Sequence, residues 1–118
     1  MMSSTPAELL RVEVETQGST TIARLIGSAN MVVSTDLKDQ LLDLVASQPQ
    51  QLILDLSRLE FISSVGLSGI IAAHLRCRHH SGTVKLAAPR PEILELLKVT
   101  NLTRLFPIHE SVEAALAS

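Results

Sequence analysis

The stretch Leu54–Gly69 reads LDLSRLEFISSVGLSG, and it carries the most information about the fold of this chain. Its start belongs to the apolar run Gln51–Leu56, which is too short for a helix and apolar enough for a strand covered on both faces. A polar turn follows, the chain returns to the apolar interior at Phe61-Ile62, and a helix begins near Ser64. This order predicts a central strand that leads directly into the N-terminus of a helix.

Strands and helices alternate on both sides of that stretch. Leu10–Glu15 alternates apolar and polar residues, as a half-buried strand does, and Thr20–Ile26 returns after a Gly-containing turn, which predicts an antiparallel hairpin. The predicted strands are 10–15, 20–26, 51–56, 83–88 and 105–108, and the predicted helices are 34–47, 64–80, 89–98 and 110–117. The pattern predicts a single α/β domain with a mixed sheet of four or five strands covered by about four helices.

Some finer predictions concern the ends and faces of these elements. Residues 1–8 are expected to form a disordered N-terminal extension, and residues 9–118 the folded domain. Ser34 is expected to cap the first helix. In the second helix, apolar residues at helical spacing predict a buried stripe of Leu67, Ile70, Ile71 and Leu75.

Composition excludes several classes of function. The chain has 118 residues and a net charge of -2, and it contains no Trp or Tyr, so neither a basic surface nor aromatic stacking platforms favour nucleic-acid binding. No stretch approaches the roughly 20 apolar residues of a membrane-spanning helix, so direct membrane insertion is not expected. The only cysteine, Cys77, cannot form an internal disulfide, which fits a reducing cytoplasm.

Ser64 is the residue with the clearest functional possibility. It is placed where a helix begins, so Ser64 or its neighbour Ser63 fits the role of an N-cap, which contributes about 1 kcal/mol. The same position suits a phosphate, because free backbone N–H groups and the positive end of the helix dipole stabilise an anion there. Gly66 leaves space for another protein to approach, or serves the turn. The residues alone leave the cap and the phosphorylation site as alternatives.

A family resemblance favours the second alternative. The pattern Asp-Leu-Ser-x3-Phe-Ile-x-Ser-x-Gly-Leu, which runs from Asp55 to Leu67, resembles the signature of bacterial anti-sigma-factor antagonists and of the wider STAS family. The predicted order of elements also resembles that family from about Leu10 to the last helix. So does Pro91–Phe106, where a helix is followed by a polar turn and the sequence Leu-x-x-Leu-Phe.

The resemblance implies a phosphorylation switch without catalytic activity or a cofactor in this chain. Ser64 would be the phosphoacceptor, with Ser63 as the second candidate. Its partners would be an anti-sigma factor that is itself a serine kinase and a PP2C-type phosphatase that resets the switch, which would regulate sigma-factor-dependent transcription. The residues expected to bind the partner are Asn30, Ser63, Ser64, Val65, Gly66 and Leu67.

This chain differs from the family pattern at two places. It has Ser63 where an acidic residue commonly precedes the phosphoacceptor, and Gly27-Ser28-Ala29-Asn30 where the family tends to carry Gly-Glu-x-Asp. Neutral residues at both places also fit an alternative role, in which the chain is a non-phosphorylated STAS binding subunit of a lipid-transport or stress-signalling complex.

Other chemistry-bearing residues support weaker hypotheses. Ser68 lacks the Gly-x-Ser-x-Gly spacing of a hydrolase nucleophile, and it is placed inside a helix rather than at its start. His74 and Cys77 are three residues apart, but a closed four-ligand metal site lacks a second pair of ligands, so no metal is expected. A glycine-rich nucleotide-binding loop is also missing from the sequence.

Overall fold

A mixed sheet with helices on both faces forms the domain, as the computed structural model of residues 10–118 shows. The predicted extension, residues 1–8, lies outside the described residues. The strands are β1 (Leu10–Gln17), β2 (Thr20–Ala29), β3 (Gln51–Ile62), β4 (Thr83–Ala87) and β5 (Ile108–His109). The helices are α1 (Ser34–Ala46), α2 (Ser64–Arg78), α3 (Pro91–Val99) and α4 (Val112–Ala117), with a 3-10 turn at Leu102–Arg104.

The five strands lie in the order β1-β2-β3-β4-β5, with β1 antiparallel to β2 and all other neighbours parallel. The main core lies on the face covered by α1, α2 and α3, and it includes Leu54 and Leu86 from the central strands. A smaller core of Ile22, Ile53 and Ala87 lies on the other face, where α4 covers it. The predicted α/β class and mixed sheet are therefore confirmed.

Three strands extend further than the sequence predicts, and β2 and β3 do so by more residues than β1. β2 continues through Gly27, whose φ of 109° is in the region that favours glycine, and β3 continues past Leu56 to Ile62. The parallel ladder between them has irregularities between Arg24 and Ile26 and between Gly27 and Ser28, so the alternation of side chains is broken while the strands stay paired. The longer β3 carries the β3–α2 junction beyond the last residue that pairs with β4, to the carboxyl end of the parallel strands.

The buried face of α2 differs from the predicted stripe, because Leu75 is 51% exposed. The buried residues of α2 are Gly66, Leu67, Gly69, Ile70, Ala73, His74 and Cys77. Small residues lie on this face because α1 packs closely against it. A Cβ at Gly69 would lie 3.1 Å from Lys38 Cβ, which shows how near the two helices are.

The last strand differs from the prediction, because β5 is Ile108–His109 rather than 105–108. Pro107 has no N–H to donate to the sheet, but its carbonyl accepts a hydrogen bond from Leu86 N at 3.0 Å.

The C-terminal part of the domain is held by a buried lysine. Lys85 Nζ donates to the carbonyl of Ala115 at 2.9 Å and to the Ser118 hydroxyl at 2.7 Å. These contacts place a cation at the C-terminal end of α4, where the helix dipole favours it.

No helix within residues 10–118 has both the length and the apolar character needed to cross a bilayer.

Candidate functional site

The candidate site lies where the β3–α2 junction meets the loop between β2 and α1. Ser63 N donates to the Ala29 carbonyl at 2.8 Å, and this backbone contact joins the two connections. It brings Asn30 and the start of α1 beside Ser64, the first residue of α2. The site is therefore built from the ends of two adjacent parallel strands and the N-termini of the helices that follow them.

Ser63, and not Ser64, is the N-cap of α2. Its backbone is extended, and its Oγ accepts a hydrogen bond from Gly66 N at 3.1 Å. The side chain is buried, with 8% of the residue exposed. Of the two serines that the sequence leaves as candidates for the cap, the structure selects Ser63.

A chain of hydrogen bonds connects this cap to α1. Ser34 Oγ donates to the Asn30 carbonyl at 2.6 Å, and the hydroxyls of Ser34 and Ser63 lie 2.8 Å apart. A serine hydroxyl has a single hydrogen to donate, so Ser34 accepts the proton of Ser63 in that contact. The order of donation is Gly66 N–H to Ser63, Ser63 to Ser34, and Ser34 to Asn30. The Ser63 hydroxyl is thus fully used in holding the two helix N-termini together.

The prediction that Ser34 caps α1 is therefore wrong. The N-cap position belongs to Val33, which has no side-chain cap, and Ser34 is buried as the first residue of the helix. Asn30 instead closes the turn that precedes the helix, because its Oδ1 accepts from Val32 N at 3.0 Å and from Val33 N at 3.3 Å. A side-chain amide that closes a local turn in this way is typical of Asn.

Ser64 presents its side chain to solvent at the N-terminal end of α2. Its carbonyl accepts from Ser68 Oγ at 3.1 Å, but its own hydroxyl makes no hydrogen bond with any of residues 10–118. The first backbone N–H groups of the helix point toward this end, where the helix dipole is positive. An anion attached to the Ser64 oxygen would be stabilised there.

The other residues predicted to bind the partner lie around Ser64 with different exposure. Asn30 and Val65 are half-buried, whereas Gly66 and Leu67 are buried. A Cβ at Gly66 would lie 2.7 Å from Ile62 Cγ1, so this glycine is required by packing inside the domain. The structure brings the predicted residues together at one end of α2, and their role in binding stays a prediction.

Three exposed apolar residues at the same end of the sheet as Ser64 were not predicted as part of the site. Phe61, which the sequence places in the interior, is 52% exposed, and Met31 and Val32 in the β2–α1 loop are 64% and 72% exposed. We call these three residues, Met31, Val32 and Phe61, the rim patch. The run of three apolar residues after Asn30 could have predicted exposed apolar side chains in the β2–α1 loop, since a loop cannot bury all three.

The histidine and cysteine residues farther along α2 are involved in packing. His74 lies edge-on to Phe106, with ring centroids 5.1 Å apart, and its buried Nδ1 has no partner within residues 10–118. Burial, with the nearby charge of Arg78, lowers the pKa of His74, and burial raises the pKa of the Cys77 thiol. In the described part of the chain, no three His, Cys, Asp or Glu side chains are grouped so that they could hold a metal.

We expect Ser63→Ala to lower the free energy of unfolding by about 1–2 kcal/mol, because the cap is lost and Ser34 loses its donor. Ser64→Ala is the matched control, and it should change the free energy by less than about 0.5 kcal/mol, as for an exposed serine without a partner. Urea denaturation of the three proteins measures both effects. Equal destabilisation by the two substitutions would contradict the assignment of Ser63 as the cap.

Comparison with known proteins confirms the resemblance drawn from the Asp55–Leu67 pattern. A family model described as STAS domain matches residues 11–115. BtrV of Bordetella bronchiseptica, a candidate anti-sigma factor antagonist by name, is 31% identical over 97 residues, which are 82% of this chain and 84% of BtrV.

Solved structures show the same fold. The crystal structure of an anti-sigma factor antagonist from Mycobacterium paratuberculosis superposes with a TM-score of 0.85 at 26% identity, and the match covers 98% of this chain and 97% of that one. The Bacillus cell fate determinant SpoIIAA in its phosphorylated form has a TM-score of 0.71 at 17% identity, covering 90% and 96% of the two chains. The chain belongs to the STAS domain family.

Proposed function

We propose that this chain is an anti-sigma-factor antagonist that is switched by phosphorylation of Ser64. In its unmodified form it binds an anti-sigma factor that is also a serine kinase, which frees the sigma factor for transcription in the cytoplasm. Phosphorylation ends that binding, and a PP2C-type phosphatase restores it. The observation that carries the proposal is the pair of adjacent serines at the start of α2, of which Ser64 is exposed and Ser63 is buried.

The structure favours Ser64 over Ser63 as the phosphoacceptor on chemical grounds. A kinase must reach the oxygen that it modifies, and the Ser63 oxygen is buried between Gly66 N and Ser34 Oγ. Phosphate on Ser63 would also remove a cap and place a dianion inside the domain. Phosphate on Ser64 meets solvent and the positive end of the α2 dipole, so the fold tolerates it.

The rim patch explains how phosphorylation would end binding. Exposed apolar side chains at the same end of the sheet as Ser64 provide area that a partner protein can remove from water, which stabilises the complex. A phosphate with a charge near -2 in the same contact would have to lose its water. Unless the partner offers a cation there, that desolvation opposes binding by several kcal/mol.

Similarity to known proteins supports this proposal. BtrV is a candidate anti-sigma factor antagonist by name, and SpoIIAA, which shares the fold, has been solved in a phosphorylated form. The proposal gives this chain no catalytic step and no cofactor, since ATP and its metal ion belong to the kinase.

Incubation with ATP and the cognate anti-sigma factor kinase tests the proposal. We expect the intact mass of the protein to increase by one phosphoryl group, Ser64→Ala to prevent the increase, and Ser63→Ala to retain it. An unchanged mass in the presence of a kinase that phosphorylates a control substrate would contradict the switch. Binding that persists without phosphorylation would then favour the non-phosphorylated binding subunit.

A further inference from the structure

The C-terminal end of α2 carries a basic surface that the Ser64 switch does not use. Arg76, Arg78 and His79 are exposed in and just after the last turn of the helix. None of the three forms a salt bridge with a carboxylate in residues 10–118, although the chain has more acidic than basic residues. The helix dipole favours positive charge at this end, but it does not account for depressions in the surface beside these residues.

Two adjoining grooves lie on either side of His79. One, of about 220 Å³, runs between the C-terminal ends of α1 and α2 and is lined by Arg76, His79 and His80 together with Val45, Ala46 and Gln48. The other, of about 430 Å³, is a shallower and more open depression at the end of α2, lined by Leu75, Arg78 and His79. Each groove therefore pairs an arginine with aliphatic surface.

The wall of the first groove is held in place from within the domain. His80 Nε2 lies 2.9 Å from the Pro49 carbonyl and 3.7 Å from Cys77 Sγ, so its ring is fixed against the α1–β3 connection. Gly82 makes this packing possible, because a Cβ there would lie 2.6 Å from Cys77 Sγ and 2.7 Å from the Pro49 carbonyl. A groove whose wall is already fixed loses less conformational entropy when a ligand binds.

We propose that this basic double groove is a second docking surface, and that its occupant is an acidic peptide segment of a partner protein. Arginine side chains bind carboxylates with paired hydrogen bonds, and Arg76 and Arg78 lie in different grooves, so they suit two acidic side chains of one segment. The half-exposed Leu75 between them suits an aliphatic side chain of the same segment. A small anion would need only one groove and no apolar contact.

The position of the double groove makes it independent of the Ser64 site. The 15 residues of α2 separate the two sites by about 21 Å along the helix axis. The acidic segment and the protein bound at Ser64 can therefore be held at the same time. Phosphorylation of Ser64 is not expected to change binding of the segment, because salt screens charges over that distance.

Binding of a labelled peptide tests the inference. The probe is a fluorescent peptide of alternating Glu and Leu, titrated with the full chain at about 0.1 M salt and followed by fluorescence anisotropy. We expect saturable binding that weakens about tenfold in the double variant Arg76→Gln, Arg78→Gln. The matched control is Arg58→Gln, Arg104→Gln, which removes the same charge from exposed arginines elsewhere and should bind normally. Ser64→Ala should also bind normally.

Several outcomes would overturn the inference. Equal weakening in the two double variants would show that net charge, and not this surface, attracts the peptide. The same conclusion follows if a peptide of alternating Lys and Leu binds equally well. Failure of the Glu-Leu peptide to bind, with or without binding of inorganic phosphate or anionic lipid vesicles to the same arginines, would contradict a peptide as the occupant.

Discussion

Ser64→Asp is expected to weaken binding to the anti-sigma partner by about 100-fold, which corresponds to about 2.7 kcal/mol. The aspartate would place an unpaired charge at the end of the domain that also exposes the rim patch of Met31, Val32 and Phe61, where the proposed partner excludes water. Folding should be unaffected, because a carboxylate in the first turn of α2 is favoured by the helix dipole. Calorimetric titration measures the affinity, and urea denaturation measures the stability.

Two controls separate charge from size and position. Ser64→Asn is similar in size to aspartate but uncharged, so it should bind within about threefold of the unmodified chain. Ser68→Asp places the same charge on the exposed side of α2 one turn later, and it should have a smaller effect. If Ser64→Asp retains full affinity, Ser64 lies outside the interface, and the proposed switch would need another residue.

Gly66→Val is expected to destabilise the domain by about 3 kcal/mol, the upper part of the range for overpacking a buried position. A Cβ at this position lies 2.7 Å from Ile62 Cγ1 and 3.3 Å from Ser34 Oγ, so the side chain would separate the end of β3 from the two helix N-termini. The hydrogen-bonded chain through Ser63 and Ser34 would be disturbed as well. Urea denaturation gives the change in the free energy of unfolding.

Ser68→Val is the matched control for that substitution. It introduces the same β-branched side chain into the same helix at an exposed position, and it should destabilise the domain by less than about 1 kcal/mol. If Gly66→Val is no more destabilising than Ser68→Val, Ile62 and Ser34 can move apart at low cost. The close packing at the β3–α2 junction would then not be needed to hold Ser64 in place.

Periodicity was sufficient to predict the fold, because the elements that build the core have long and regular patterns. In the central strand, Leu52, Ile53, Leu54 and Leu56 are buried, as the apolar run predicts. The apolar spacing of α1 predicts a buried stripe of Leu37, Leu41, Leu44 and Val45, and all of them except the half-buried Leu44 are buried. Periodicity failed where the ladder is irregular, since β3 continues to Ile62 through the exposed residues Ser57 and Arg58. A residue pattern that is interrupted in this way is indistinguishable from a turn.

The faces of α2 were harder to predict, because packing against α1 decides them. Small residues, Gly69 and Ala73, are buried there in contact with a neighbouring helix, and the larger Leu75 is left outside. A hydrophobicity pattern ranks Leu above Gly, so it wrongly places Leu75 in the buried stripe, although Leu67 and Ile70 are buried as it predicts. A hydrophobicity pattern also could not predict the basic double groove, because the groove depends on where α1 ends relative to α2.

The roles of the two adjacent serines depended on a contact between residues 29 positions apart. Ser34 Oγ meets Ser63 Oγ only when β2 and β3 are paired, and no local pattern contains that information. The sequence predicted a serine cap at the start of α2. It could not tell whether Ser63 or Ser64 is that cap.

The burial of Ser63 has a consequence for any enzyme that modifies this chain. In a short synthetic peptide of residues 58–67, the hydroxyls of Ser63 and Ser64 would be equally available, and a kinase would have to distinguish them by local sequence alone. In the folded domain one oxygen is enclosed and the other is accessible. The fold therefore determines which of the two serines an enzyme can reach, so such peptides are poor substitutes for the intact domain as substrates.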